Sequence, residues 1–549
     1  MRYKYLILFL GFLNFEVYAQ DNNIFIGRSY FSFQNKVDIY NIDTLKSNLH
    51  TTFKPVVKQG YNSFALKDSY STLPKNKKWL FRKFYEEHLI VIKGEDYSVV
   101  ASPIVNLNFG KDLVNDKKTF TNTRGYIVLG DLGKRVSFFT SFRENQSIFP
   151  VYMHEYILKT RVVPGQGYAR NFKGKGFDYA MSSGHVIIDA SKFFKFQFGH
   201  GKHFIGEGYR SLLLSDNTFN YPYLRIQTDF WKVQYTNLYA ELQDINYFAS
   251  NGIDNYDQMG YAKKYMSSHY LSLNLTNKLN VSLFETVIWR MNHAPGVTGF
   301  DINFLNPIIL LRPVEFSINS PDNMLVGLNL KYLLKDNLSL YGQIILDEFS
   351  LEDLRKQNDF WGNKYGYQIG FKTNHIIGTS RLANLIEYNY VRPYTYAHHN
   401  PQQNYAHYNQ PLSHPLGANF SELIFMNKYR FKKWELTAKI LLMKYGADFS
   451  NDTISYGNDL FQSTGNFQQP NGNVQYGRPS DYGVAMYQGN LTNVLFKEFN
   501  ISYIINHRTN FKLNLGVIQR DLENDDGKKS TTFFNFGIKS DLFNQYYDF

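Results

Sequence analysis

The sequence predicts an all-β protein, a transmembrane antiparallel β-barrel of about 18 strands with loops folded into its lumen. Two observations carry this prediction. Stretches of about ten residues alternate apolar and polar side chains, as between Met324 and Tyr332 or between Phe511 and Val517, which gives each strand one apolar and one polar face. These stretches also come in pairs joined by turns of a few residues, as the hairpins of a barrel do.

The first nineteen residues resemble a secretory signal peptide. Arg2 and Lys4 give a positive start, an apolar run follows, and Ala19 ends a small-residue cleavage site. The run is shorter than the roughly 18 apolar residues that a membrane-spanning helix needs. We therefore expect export, cleavage near Ala19 and a mature chain that begins at Gln20.

The composition agrees with a barrel. The 549 residues include 43 Tyr and 47 Phe, which suits the aromatic girdles of such barrels. The mean hydropathy is only −0.38, and a low value is expected because only half of each strand faces lipid. The chain has no cysteine, which excludes disulfides and thiolate metal sites.

The formal charge of +12 is spread along the chain. No basic cluster has the spacing that nucleic-acid recognition requires, so we expect no nucleic-acid partner. A distributed positive charge favours contact with anionic lipid, lipopolysaccharide or acidic polysaccharide.

Residues 20–96 lack the strict alternation, and we expect an N-terminal periplasmic region there. Basic residues surround four apolar residues that recur near helical spacing, namely Trp79, Leu80, Phe84 and Leu89. This pattern predicts an amphipathic helix from Pro74 to about Ile90, with a loosely ordered leader as the alternative. The strands begin after this region, so residues 97–549 are assigned to the outer-membrane barrel.

The junctions between strands alternate in length. Tight turns such as Asp131 to Gly133 are followed by long junctions at 147–176, 204–220, 244–265, 291–322, 394–417 and 446–490. Short turns belong on the periplasmic side and long loops outside, so the alternation also orients the barrel. The final aromatic residues, among them Tyr547 and Phe549, would fall on the opposite face from the apolar residues of the last strand if that strand continued. This change of face predicts a bulge or a short tail after the strand.

Two of the long loops, 199–217 and 300–316, are too apolar to extend freely into water. We expect them to fold inward and narrow or plug the lumen, with docking against a partner at the surface as the alternative. Both loops also carry charged residues that could form buried ion pairs and hold the plug in place. These residues are Glu207, Arg210, Arg312 and Glu315.

The loop from Tyr394 to Pro415 is rich in His, Tyr, Asn and Gln, which can stack on sugars and bond their hydroxyl groups. The candidate ligand-binding residues are Tyr394, Tyr396, His398, His399, Tyr405 and His407. A metal site is disfavoured because the histidine spacing is irregular and no carboxylate joins it. The loop 446–490 is expected to be solvated.

Several segments resemble one family. They are Gly199 to Asn217 with Phe219 to Arg225, Arg143 to Gln146, Asn306-Pro307 with Arg312 to Phe316, and Tyr341 to Gln343 with Leu346 to Phe349. They cover most of residues 75–430 and are similar to the Wzi-like capsule assembly family of outer-membrane barrels, above all to its Bacteroidetes branch, the gliding-motility protein RemB. The resemblance implies a plugged barrel with a periplasmic helical element. It also implies retention of capsular polysaccharide, as in Wzi members, or adhesion and gliding, as in the RemB branch.

We therefore expect a non-enzymatic barrel that binds surface polysaccharide or supports adhesion and gliding motility. Its partners would be outer-membrane lipid, lipopolysaccharide, surface polysaccharide and gliding or secretion machinery. A porin-like channel and an accessory subunit of a surface secretion or motility machine are the alternatives. No enzyme motif occurs with the context it needs, and no cofactor is expected.

Overall fold

Eighteen long strands form a closed antiparallel barrel, which confirms the predicted fold class. The computed structural model describes residues 50–57, 78–245, 260–290, 302–309, 322–378, 380–449, 454–465, 467–468, 474–475 and 477–549. Each barrel strand pairs with its neighbours along the chain, and the last strand pairs with the first.

The barrel strands are named β1 to β18 in chain order. They are β1 (Tyr97–Asp112), β2 (Lys117–Leu132), β3 (Val136–Ile148), β4 (Gly176–Asp189), β5 (Phe194–Gly201), β6 (Tyr221–Phe230), β7 (Val233–Asp244), β8 (Ala262–Asn274), β9 (Leu279–Arg290), β10 (Asn323–Lys335), β11 (Leu338–Leu346), β12 (Tyr365–Ile377), β13 (Ser380–Val391), β14 (Phe420–Phe431), β15 (Trp434–Ala447), β16 (Asn490–Asn506), β17 (Phe511–Asn524) and β18 (Gly527–Ser540).

The remaining elements are short. The helices are α1 (Trp79–Tyr85), α2 (Val151–Thr160) and α3 (Leu351–Lys356), with 3-10 turns at Ile302–Leu305 and Pro401–Gln403. Short strands lie at Phe53–Lys54, Ile90–Lys93, Arg170–Phe172, Phe204–Ile205, Ala406–His407, Gln410–Pro411, Phe467–Gln468 and Val474–Gln475. No helix in the described ranges is long and apolar enough to cross a membrane.

The first helix is shorter than predicted. It covers Trp79–Tyr85 instead of 74–90 in the described part, and Ile90–Lys93 is a strand. The run Ile90-Val91-Ile92 explains the difference, because β-branched side chains favour strands over helices. The helix lies at the short-turn end of the barrel, where Arg508 donates from Nε to the carbonyl oxygen of Glu86 at 2.9 Å.

The barrel wall has a polar inner face and an apolar outer face. On β6, Arg225, Gln227 and Asp229 are buried in the lumen, whereas Leu224 is exposed on the outer face. Outward apolar side chains form a band around the barrel, among them Phe198, Leu283, Leu330, Ile344, Ile369, Ile386, Ile440, Leu515 and Phe536. Such a band matches the hydrocarbon layer of a membrane.

The barrel closes through two partners on one edge of β1. Residues 533–539 of β18 pair with residues 106–112 of β1. Nearer the short-turn end, the strand Ile90–Lys93 pairs with residues 98–101 of β1 along the same edge. The chain segment before the barrel therefore completes the hydrogen bonding at the seam.

Three described segments pack together in the lumen, beneath a fourth, the loop 392–419. The three are residues 50–57, the loop 202–220 between β5 and β6 (the plug loop), and residues 541–549 after β18 (the inner tail). Phe53–Lys54 pairs with Phe204–Ile205 of the plug loop, so part of the region predicted to be periplasmic lies inside the barrel. The division of the chain at residue 96 stays a prediction.

The inner tail explains the broken parity of the final aromatic residues. The strand β18 ends at Ser540, and the chain then turns into the lumen. Tyr546 is 3% exposed and its hydroxyl donates to Asp216 of the plug loop at 2.7 Å. Of the two predicted explanations, a bulge or a short tail, the structure therefore shows a short tail after the last strand.

The second apolar loop was expected to fold inward, and this expectation is wrong for its described residues, 302–309. They lie against the outer face of β7 to β9. The hydroxyl group of Tyr239, on the outward face of β7, donates to the carbonyl oxygen of Leu305 at 3.0 Å. The ring of Phe304 stacks on Trp289 with centroids 4.5 Å apart. The predicted ion-pair residues Arg312 and Glu315 lie outside the described residues.

Polar residues on the outer wall explain why this segment lies outside the barrel. Glu285 of β9 and His269 of β8 have outward parity, are fully buried, and lie 3.2 Å apart between Oε2 and Nδ1. A charged or polar pair facing lipid is costly. The apolar segment 302–309 covers this wall and presents Ile302 and Ile308 outward, 74% and 66% exposed.

Candidate functional site

Polar side chains of the barrel wall hold the backbone of the plug loop. Gln343 on β11 accepts from the N–H of Leu212 at 2.8 Å and donates to the carbonyl oxygen of Ile205 at 2.9 Å. Gln368 on β12 donates to the carbonyl oxygen of Arg210 at 3.1 Å. Buried backbone groups need such partners because water is excluded. The wall therefore specifies the path of the loop.

A carboxylate on the wall binds the tip of the same loop. Glu387 on β13 accepts from the N–H groups of Tyr209 and Arg210 at 2.8 and 3.0 Å. It also accepts from the hydroxyl of Tyr341 at 2.8 Å and from Asn389 at 3.0 Å. Four donors to one buried carboxylate make the loop tip rigid.

Arg210 joins the plug loop to the wall and to the inner tail. Its guanidinium forms two bonds to Glu422 of β14, 3.0 Å from Nη2 to Oε1 and 3.3 Å from Nε to Oε2. Asp548 of the inner tail lies 3.1 Å from Nη1. His414 adds a contact of 2.6 Å between Nε2 and Glu422. All four side chains are at most 1% exposed.

Glu207 forms the second charged cluster of the plug loop. Its carboxylate lies 3.5 Å from Lys331 and 2.5 Å from Lys372, and it accepts from the hydroxyl of Thr51 at 2.9 Å. Burial by itself would raise the pKa of Glu207, but the neighbouring lysines outweigh burial and hold that pKa below its ordinary value. Glu207 therefore binds the wall and the segment 50–57, whereas Arg210 binds the wall and the inner tail.

The loop 392–419 between β13 and β14, named the capping loop, packs on the plug loop from the long-loop end. The hydroxyl of Tyr396 donates to the carbonyl oxygen of Leu212 at 2.8 Å, and that of Tyr405 donates to Leu213 at 2.6 Å. Tyr394, Tyr396 and Tyr405 are all fully buried. The rings of Tyr396 and Tyr405 belong to a hydrophobic core inside the lumen, so this part of the loop is packed against the protein and not solvated.

The histidines of the capping loop differ in environment. His407 is 1% exposed, accepts from the N–H of Gln243 at 2.9 Å and contacts the carbonyl oxygen of Asn220 at 3.1 Å. His398 is 6% exposed, and burial lowers its pKa to about 3. Of the six predicted ligand-binding residues, His399 alone is exposed. The described ranges contain no group of three or more His, Asp or Glu side chains that could hold a metal ion.

The inner tail runs along the lumen and contacts elements near both ends. Asp541 lies 2.5 Å from Lys512, and Asp548 lies 2.5 Å from Lys439. The carbonyl oxygen of Tyr547 accepts from the hydroxyl of Tyr152 on α2 at 2.7 Å. A cavity of about 390 Å³ remains between the tail, the plug loop and the wall. Paired lysines and carboxylates line it, so neither charge dominates.

Aromatic side chains are presented on the long-loop mouth. Phe360 and Trp361, in the junction between β11 and β12, lie beside Tyr482 of the junction between β15 and β16, with the Phe360 and Tyr482 centroids 5.6 Å apart. We name these three residues the outer aromatic cluster. Arg478 lies over the Trp361 ring at 3.9 Å, and Tyr482 is 55% exposed. The N–H of Trp361 donates to the carbonyl oxygen of Asp481 at 2.9 Å, which joins the two junctions.

This arrangement is suited to binding at the mouth. Flat rings with an exposed face can stack on the apolar face of a sugar ring, and a neighbouring guanidinium can bond hydroxyl or carboxylate groups. Below this mouth, the capping loop, the plug loop and the inner tail occupy the lumen.

The family model for capsule assembly protein Wzi matches residues 189–490. The chain belongs to the Wzi capsule assembly family. The match extends from the end of β4 to the start of β16, so it includes the plug loop, the capping loop and the outer aromatic cluster. A search of curated proteins gave no match.

This Wzi family member is also similar to solved structures. One is Wzi of Escherichia coli, described as an outer-membrane protein involved in group 1 capsule assembly and a carbohydrate-binding β-barrel. It has 12% identity and a TM-score of 0.46, over 80% of this chain and 84% of that one. Another is OprD of Pseudomonas aeruginosa, with 10% identity and a TM-score of 0.41, over 83% and 96% of the two chains.

Sequence reasoning missed most residues of the lumen network. One sequence feature could have pointed to Glu387, Glu422 and Asp548. Glu387 and Glu422 are charged residues at inward-facing strand positions, and Asp548 is a charged residue after the last strand. That feature is shared with water-filled barrels, so it could not show which loop they bind. Trp361 was also missed, although it is one of only five tryptophans and lies in a loop.

Proposed function

We propose that this Wzi family member is an exported outer-membrane protein that binds surface polysaccharide at its long-loop mouth. The observation that carries the proposal is the contrast between a filled lumen and an outer aromatic cluster in which Tyr482 is exposed and Phe360 and Trp361 are half-buried. Buried ion pairs and hydrogen bonds fix the plug loop, the capping loop and the inner tail inside the barrel. A polymer can therefore reach Tyr482, and the half-buried Trp361 beside it, without any of these segments moving.

The chemistry of the mouth favours an acidic or neutral glycan. Arg478 lies beside Trp361, where its guanidinium is paired with Asp481 at 2.6 Å, and the chain carries a net charge of +12. An exposed aromatic ring binds sugar rings by stacking, and the neighbouring pair of Arg478 and Asp481 offers donors and acceptors to their hydroxyl groups. Among the six residues predicted from the sequence, His399 is exposed, and we propose it as a direct contact of the glycan. The other five would contact the glycan only after the capping loop leaves the lumen.

The finer assignments rest on sequence features. The signal-peptide pattern of residues 1–19 supports export with cleavage near Ala19, and residues 20–96 would form the N-terminal region. The quoted segments similar to the RemB branch support an additional role in adhesion and gliding motility in a Bacteroidetes cell, with gliding or secretion machinery as a partner. The proposed mode of action is binding without catalysis, since no enzyme motif occurs in the sequence with the context it needs.

An array of capsular and lipopolysaccharide glycans, probed with the purified barrel, tests the proposal. The wild-type barrel should retain at least one surface glycan. Trp361→Ala combined with Tyr482→Ala should weaken that binding by about tenfold or more, because each lost ring contact is worth roughly 1 kcal/mol. The folded state is checked by heat-dependent migration of the barrel on gels.

Trp231→Ala is the matched control. Trp231 is 73% exposed but lies in the short turn between β6 and β7, at the opposite end of the barrel. Its loss should leave glycan binding unchanged. Equal losses in both variants, or no glycan retained by the wild type, would overturn the proposal.

A further inference from the structure

A small cavity of about 70 Å³ lies in the lumen between β3 to β6 and the inner tail. Arg143 of β3 and Lys202 of the plug loop line it on one side, and Phe543 and Gln545 of the inner tail line it on the other. It lies apart from the outer aromatic cluster, and nothing in the proposed glycan binding uses it.

Arg143 is a buried cation with unused donors. It is 6% exposed, yet its guanidinium makes no hydrogen bond or ion pair with any residue that the structure describes. One face of the guanidinium lies on the ring of Phe543, with 3.9 Å between Cζ and the ring centroid. Stacking leaves the five N–H donors in the guanidinium plane available. A buried charge in this state is costly unless a ligand meets it.

Other buried arginines of the lumen show the contrast. Arg210 meets two carboxylates. Arg225 donates to the carbonyl oxygen of Pro55 at 2.7 Å and to Gln227 at 2.8 Å. The guanidinium of Arg143 faces an open cavity, whereas the guanidinium groups of Arg210 and Arg225 face acceptor groups of the protein.

Lys202 adds a second cation at the same cavity. Its ammonium donates to the carbonyl oxygens of Gly165 and Asp216, the latter at 3.1 Å. The Asp216 carboxylate accepts from Asn544 and Tyr546 of the inner tail at 2.7 Å each. Burial lowers the pKa of Lys202 to about 7; Asp216 opposes this fall and the charge of Arg143 adds to it. Arg143 and Lys202 are basic and Asp216 is acidic, so the lining of the cavity has more basic than acidic side chains.

We propose that this cavity binds a small oxyanion of phosphate or sulfate size, held by the guanidinium of Arg143 and the ammonium of Lys202. The volume of about 70 Å³ exceeds what one water molecule needs, but it is too small for a sugar ring. Planar guanidinium and ammonium donors are the groups that bind tetrahedral oxyanions in proteins. Bound there, the anion links the wall and the plug loop beside Phe543 of the inner tail.

Thermal unfolding of the purified barrel in detergent, followed by tryptophan fluorescence, tests the site. Inorganic phosphate or sulfate at ten times its dissociation constant should raise the Tm of the wild type by about 1–2 °C over chloride at equal ionic strength. Arg143→Gln should lose this rise, and Arg143→Lys should keep part of it. Glucuronate should give no rise, because its ring does not fit.

Lys512→Gln is the matched control. Lys512 is a buried lumen cation that already has two carboxylate partners, Glu435 at 3.1 Å and Asp541 at 2.5 Å. Its phosphate response should equal that of the wild type, even where its own Tm is lower. An unchanged response in Arg143→Gln would overturn the site, as would a wild type that responds to glucuronate alone.

Crystals of the wild type grown with selenate give a direct result that needs no variant. An anomalous peak beside Arg143 and Lys202 would support the site. A cavity that holds only water at saturating selenate would overturn the proposal.

Discussion

Arg210 shows how a charged side chain is stabilised inside this barrel. Moving an ion out of water costs several kcal/mol, and attraction to a partner offsets this cost only when the geometry is good. Arg210 meets this condition, because its guanidinium forms two hydrogen bonds to Glu422 and lies in ion-pair contact with Asp548. The partners come from the wall and from the inner tail, so one side chain connects three parts of the molecule.

Asp548 gives this connection a pH dependence. Burial by itself would raise the pKa of Asp548, but Arg210 and Lys439 outweigh burial and hold that pKa below its ordinary value. A carboxylate whose pKa is lowered on folding stabilises the folded state above its ordinary pKa, and this contribution is lost as the pH falls through the lowered value. The inner tail should therefore stay bound at neutral pH and loosen below about pH 4.

Hydrogen exchange of amides 541–549, corrected for the intrinsic effect of pH, measures this loosening. Asp548→Asn should weaken protection already at neutral pH and flatten the dependence on acid. Asp116→Asn serves as the control, since Asp116 is 84% exposed in the turn between β1 and β2. If the two variants respond to acid alike, Asp548 does not hold the tail.

The capping loop behaves as an internal element of the barrel. Tyr396 and Tyr405 occupy the lumen core, and their hydroxyl groups donate to plug-loop carbonyl oxygens. A loop of this length between strands would ordinarily be solvated. Here it is buried because the apolar plug loop beneath it needs a cover.

Substitution of Tyr396 separates packing from hydrogen bonding. Tyr396→Ala should destabilise the capping loop by about 3–5 kcal/mol, because a buried ring is removed and a cavity is left. Tyr396→Phe should cost roughly 1–3 kcal/mol, because it leaves the Leu212 carbonyl oxygen without a partner. Tyr332→Ala, whose ring is 42% exposed on the outer face, is the control. Denaturant-dependent hydrogen exchange of residues 392–419 measures the difference, and equal effects of Tyr396→Ala and Tyr332→Ala would contradict the assignment.

Strands and turns could be predicted from the sequence, because each depends on neighbouring residues. The alternation in β17 and the short turns after β2 and β10 are examples. The direction in which a long loop folds depends on distant residues and could not be predicted in the same way. The segment 302–309 folds outward because Glu285 and His269 need cover on the outer wall, although the outward parity of Glu285 was visible in the sequence.

The pairing partners in the lumen were also beyond local patterns. Glu207 and Arg210 were identified as ion-pair residues, but Lys331, Glu422 and Asp548 are more than a hundred residues away. The tyrosines of the capping loop suggested sugar contacts by composition, and only tertiary packing shows that they are buried. Composition describes what a side chain can bind, whereas the fold decides what it meets.

At the scale of the whole molecule, the closed wall and the filled lumen should prevent free diffusion. The wild-type barrel should therefore show no steady large conductance in planar bilayers. Replacing residues 541–549 with a Gly-Ser segment of equal length should add frequent openings, because Arg210 and Lys439 lose their partner Asp548.

The same replacement of a different segment supplies the control. Exchanging the exposed helix Leu351–Lys356 at the outer mouth for Gly and Ser residues should leave conductance at the wild-type level. A wild type that conducts steadily would favour a porin-like channel instead.

The seam of the barrel determines where the chain can be shortened. Residues 98–101 of β1 have the strand Ile90–Lys93 as their partner on one edge. A fragment that began at residue 97 would leave the backbone N–H and C=O groups of that edge without hydrogen-bond partners. In the membrane, water is not available to replace those partners. Such a fragment would have an unpaired strand edge that can form hydrogen bonds with strands of other chains. The smallest self-sufficient form of the wall therefore begins before residue 90.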